Sequence, residues 1–114
     1  QFRALIDILP LGPDTRKTHP FNGIRWNLVF KEDLDKFGRT RATQNTIWPL
    51  FRRPDDSPIP EQIPLTGTLP ATMHIVFPNM VDEHMKRIQV GTKFYCMEGA
   101  RIVAHGYVTS IGPD

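Results

Sequence analysis

Four histidines, one cysteine and a scatter of arginines are the residues of this 114-residue chain whose types could do chemistry. A metal site needs donors that converge, at i, i+4 on a helix or as Cys-x-x-Cys in a loop. His19, His74, His84 and His105 follow neither spacing, so no metal is expected. Nucleophilic catalysis needs a thiol or hydroxyl with a base beside it, and the thiol-imidazole pairs on offer are Cys96 with His74 or with His105. Cys96 falls mid-strand on the side of Phe94, which marks a buried, inert thiol. Asp55 and Asp56 stand in a proline-rich loop with no basic partner in view. The residue pattern thus predicts neither an enzyme nor a cofactor.

Binding chemistry is better represented. Arg16, Lys17 and Arg25 come from one loop and the strand after it. A guanidinium there can clasp phosphate or carboxylate with two parallel hydrogen bonds, or make ion pairs that fix the loop. Arg101 follows a turn and is expected to pair with Glu98, a contact of small value when exposed. Trp26, Trp48, Phe51 and Tyr107 are possible stacking platforms for bases. Trp26 shares a face with Ile24 and Leu28 and is assigned to the core. Trp48 and Phe51, beside Arg52 and Arg53, read as an interaction surface, because aromatic residues flanked by arginine typify interfaces. Packing against the rest of the domain is the competing reading. His105 is either a phosphate contact or an ordinary strand histidine.

These side chains must be held by short strands. The chain has 11 prolines against 8 glycines, and helix interiors tolerate proline badly while turns and strand edges accept it. Phe2 to Leu9 is apolar and stops at Pro10, Gly12 and Pro13, as a strand entering a turn does. Ile24, Trp26, Leu28 and Phe30 alternate with Arg25, Asn27 and Lys31, the clearest strand of all. Glu32 to Gly38 reads as a turn or one helical turn. Thr46 to Phe51 is a short strand interrupted by Pro49, and Pro54 to Pro64, with four prolines, is an extended surface connection. Met73, Ile75 and Phe77 alternate with Thr72, His74 and Val76. Asn79 to Val90 is open between helical spacing and a strand edge with a loop. Thr92 to Met97 and Arg101 to Ile111 flank Glu98-Gly99-Ala100 as a hairpin.

The expected fold is therefore one all-β domain over 1–114, with strands closing on themselves because closure removes exposed sheet edges. Composition agrees: 39% apolar and 23% charged residues suit a globular chain. A net charge of +2 falls short of the concentrated positive charge that phosphate-backbone binding shows. One cysteine permits no internal disulfide, so a cytoplasmic location is the simpler expectation. No apolar run approaches the roughly 18 residues of a membrane span, and no membrane association is expected. The first residue is Gln1, which leaves a full protein and an excised domain both open.

Three stretches together resemble the C-terminal, third domain of the elongation factor Tu family: Arg3 to Leu9, Arg16 to Leu28, and Gly91 to Val108. The last is the most specific. Gly91, Phe94, Glu98, Gly99, Arg101, Val103 and Gly106 fall in register with the family's closing hairpin. The family's Met-Pro-Gly-Asp turn has its nearest counterpart in Leu69-Pro70-Ala71-Thr72, and Trp26 and Asn27 replace its proline and glutamine. Asp33 to Ile63 departs from the pattern, which implies an irregular insertion at about 33–63.

The resemblance implies a six-stranded antiparallel closed barrel that in the parent factors grips the T-stem of aminoacyl-tRNA and packs against a nucleotide-binding domain. This chain has no Gly-x-x-x-x-Gly-Lys-Ser/Thr loop, so no nucleotide is expected. The resemblance therefore implies a free-standing, non-catalytic binding module for a protein partner or a tRNA-like stem. Its expected contacts are Arg16, Lys17, Arg25, Asn27, Trp48, Phe51, Arg52, Arg53, Arg101 and His105. The alternative is a small hydrolase with a His/Asp site at the barrel mouth.

Overall fold

The computed structural model describes residues 1–39, 41–42, 44–76 and 86–112. Six strands and one short helix follow in the order β1 (Phe2–Ile8), β2 (Trp26–Phe30), α1 (Lys31–Phe37), β3 (Asn45–Phe51), β4 (Gly67–Ile75), β5 (Lys93–Glu98) and β6 (Arg101–Ile111). They form a closed barrel in the order β1-β4-β3-β2-β5-β6, with every pairing antiparallel. The antiparallel barrel expected from the alternating strands is what the chain forms. Among the described residues no helix is long and apolar enough to cross a membrane.

Period-2 alternation decides which side chains fill the barrel. Phe2, Ala4, Ile6 and Ile8 of β1 point inward, against Trp26 and Leu28 of β2, Phe94 and Cys96 of β5, and Val103, Ala104 and Val108 of β6. Phe2 meets Phe94 edge to face at 6.5 Å, and Trp26 meets Phe51 likewise at 6.0 Å. Gly106 faces inward where three strands crowd together. A Cβ there would lie 2.6 Å from the Leu5 carbonyl oxygen and 2.9 Å from Phe94 Cζ, so only glycine fits. A second, smaller cluster of Val29, Ala42 and Met97, with Leu34 against it, gives α1 its seat outside the barrel.

In the middle of the chain Asn45 to Phe51 is a barrel stave between β4 and β2, where a short strand over Thr46 to Phe51 is expected, but other features there differ from expectation. Pro49 does not interrupt that stave. The Arg52 N–H donates to the Pro70 carbonyl, so even-numbered residues of β3 bond to β4 and the Pro49 nitrogen faces the other way. There β3 pairs with β2 only as far as Ile47, and no ladder bond is lost. Leu69 to Thr72 is not a turn but the middle of β4, paired with β1 and β3. Phe51 is 1% exposed and belongs to the core. Phe77 and the part of 79–90 up to residue 85, His84 included, lie outside the described residues.

Candidate functional site

The loop before β2 and the turn between β5 and β6 meet at one end of the barrel, as two contact regions expected from the sequence. What joins them is an internal network. The Arg16 guanidinium donates to Glu98 Oε2 and, through Nε, to the Thr18 carbonyl at 3.0 Å. Trp26 Nε1 donates to the same Glu98 oxygen at 2.9 Å. Arg101 lies 3.7 Å from Glu98 Oε1 and donates to the Thr15 carbonyl at 3.1 Å. Asn27 donates to Gln44, which donates to the Gly99 carbonyl, each at 3.1 Å. Arg16, Asn27 and Arg101 are thus engaged in fixing this end of the barrel. Lys17 projects from it, exposed.

The proline-rich loop after β3 uses its arginines in the same way. Arg53 donates to the Pro58 carbonyl at 3.0 Å and Arg52 reaches the Asp56 carbonyl at 3.5 Å. Asp56, which in sequence has no basic partner in view, pairs with Arg3 of β1. The reason lies in the register: β1 adjoins β4, so a loop folded back from β3 reaches β1 although 53 residues separate the pair.

A different group of residues gathers on the outer wall of β3 and β4. Trp48 opposes His74 across the strands, with ring centroids 5.9 Å apart. The Arg25 guanidinium lies 5.7 Å from the Trp48 ring centroid, a cation–π contact. Trp48 remains 37% exposed despite both neighbours. Partial burial holds the His74 imidazole below its ordinary pKa and so favours its neutral form. The result is a partly exposed indole in contact with both a cation and an aromatic ring. No protein-family model matches the chain, and comparison with curated proteins finds no match.

Sequence alone places Trp48 on the surface but groups it with Phe51, Arg52 and Arg53. The strand alternation separates Trp48 from Phe51, which points into the barrel. Nothing in the local sequence singles out His74 as its companion. The Trp48–His74 register, which pairs two outward-facing positions, is the signal that finds it. His105, the remaining candidate, sits on the wall of β6, half exposed, with Nε2 3.3 Å from Asp7 Oδ2 of β1. Cys96 is fully buried, and burial alone pushes its thiol pKa far up, which leaves no thiolate for chemistry.

Proposed function

We propose that this barrel is a non-catalytic binding module whose β3–β4 wall docks a protein partner, with Trp48 as anchor and Arg25 and His74 at its flanks. The observation that carries the reading is the exposed indole held in place by its two neighbours. Tryptophan and arginine are the side chains whose truncation most often costs an interface its affinity, and a ring already fixed loses little entropy on docking. An RNA stem is the less supported partner. Arg3, Arg16, Arg87 and Arg101 each pair with a carboxylate of the chain, which lowers the net cation density that a phosphate backbone requires. The likeness of both ends of the sequence to the third barrel of elongation factor Tu supports an accessory role in a larger, cytoplasmic assembly.

The test is affinity purification of the tagged chain beside its Trp48→Ala and Arg25→Ala variants, with and without nuclease. The reading expects a stoichiometric protein that nuclease leaves and Trp48→Ala removes. Recovery of RNA, unaffected by Trp48→Ala, would overturn it. A small hydrolase is the second reading, and one observation favours it: the Asp7–His105 pair. Ester hydrolysis abolished by His105→Ala would support that reading over the first.

A further inference from the structure

A groove of about 450 Å3 runs along the opposite wall of the barrel, over β1, β6 and β5. Strand register sets its lining in two rows. Thr68, Asp7, His105 and Tyr95 make one row; Leu5, Tyr107 and Lys93 make the other. The glycine between His105 and Tyr107 lets β6 press against the Leu5 backbone, and Lys31 closes the groove from α1. Its volume is that of a small-molecule site, well below what a folded partner needs.

The charges in it are unevenly matched. Both oxygens of Asp7 are engaged, Oδ1 by the Thr68 hydroxyl at 3.1 Å and Oδ2 by His105. Lys31 pairs with Asp35 one turn along its own helix. Lys93, exposed at the end of the groove beside Tyr107, makes no ion pair among the described residues. Leu5 and Tyr107 lie before Lys93 in its row, and Tyr95 stands beside it on β5; the two rings offer apolar faces with hydroxyls at their tips. A flat apolar body fits the middle, and a single negative charge answers the one unmatched cation. Phosphate or a polyanion would call for several donors at that end.

We propose that this groove binds a small carboxylate with an aromatic body, its carboxylate on Lys93 and its ring lying against Leu5 and Tyr107. His105, held by Asp7 through Nε2, makes no hydrogen bond at Nδ1 among the described residues, which leaves that nitrogen for a polar substituent on the ring. The site touches β4 only at Thr68, shares no residue with the Trp48, Arg25 and His74 group, and stands or falls independently of it.

The test is an NMR titration of the 15N-labelled protein with 3-phenylpropanoate and, in parallel, its uncharged amide. The expected result is saturable shifts of the Leu5, Asp7, Tyr95, His105 and Tyr107 amides, with the carboxylate about tenfold tighter than the amide. Lys93→Gln should bring the two ligands level while its spectrum elsewhere stays that of the folded barrel. Lys17→Gln should change neither. Absence of saturable shifts at millimolar ligand, equal binding of acid and amide, or insensitivity to Lys93→Gln would each overturn the proposal.

Discussion

Trp26 Nε1 donates a hydrogen bond to Glu98 Oε2, so the bulkiest fully buried side chain of the barrel is tied to the turn of the closing hairpin. The same carboxylate takes the Arg16 guanidinium, and one acid thereby joins the core, the hairpin and the first long loop. A buried donor left without its acceptor costs about 1–3 kcal/mol. Glu98→Ala should lower unfolding free energy by about that amount. In a double-mutant cycle with Trp26→Phe, which removes the N–H and keeps an aromatic ring, the two losses should be less than additive. Denaturant unfolding of the four proteins measures the coupling, and strict additivity would break the link.

Gly106 is fixed by the Leu5 carbonyl and the Phe94 ring rather than by a turn. A methyl group there must push strand backbone as well as a side chain. Gly106→Ala should destabilise by about 1–3 kcal/mol, the range of overpacked cores, whereas Thr109→Ala at an exposed position of the same strand should cost no more than about 1 kcal/mol. Thermal unfolding of Gly106→Ala beside Thr109→Ala makes the comparison.

Phe51 and Trp48 lie three residues apart on opposite faces of β3 and should separate stability from binding. Phe51→Ala opens the core beside Trp26 and should cost about 3–5 kcal/mol. Trp48→Ala removes a cation–π contact and a tilted ring contact on a wet surface and should cost about 1 kcal/mol or less. Partner binding should respond in the reverse order once Phe51→Ala is assayed at a temperature where it is folded.

Acid should release α1 from Arg87. Arg87 donates two hydrogen bonds to Asp33, at 2.7 and 3.0 Å, and lies 4.1 Å from the Phe30 ring centroid. Those bonds hold the Asp33 carboxyl below the usual carboxylate range. The unfolded chain then binds more protons than the folded one in acid, so the stabilisation is complete above the ordinary aspartate value of about 4 and fades as pH falls below it. The stability difference between the wild type and Asp33→Asn should be constant at neutral pH and shrink below about pH 4. A difference that grows in acid contradicts the assignment.

The strands at both ends of the chain are legible in the sequence because their alternation is clean: Phe2 to Ile8, Trp26 to Leu28, and the hairpin around Gly99. β3 is legible over Thr46 to Phe51 but reads as interrupted at Pro49, and the start of β4 is hidden by Pro70. Proline is a strand breaker only where the ladder needs its N–H, and sequence does not reveal which neighbour a strand will have. The site is half legible for the same reason. An exposed Trp48 follows from its local setting, but Arg25 and His74 reach it through pairings between distant strands. The partners of Arg16 and Asp56 likewise depend on closure of the barrel, which brings residues 82 and 53 positions apart into contact.

The most direct test of the β3–β4 wall as a docking face is photocrosslinking from position 50, which follows Trp48 on the outward face of β3 and spares the indole. Leu50 replaced by a photoreactive analogue should yield one discrete protein adduct in cells, resistant to nuclease and lost on adding Arg25→Ala. The same analogue at Tyr107, on the far wall, should not form it. No adduct from position 50, an adduct that nuclease removes, or one formed equally from both walls would contradict the account.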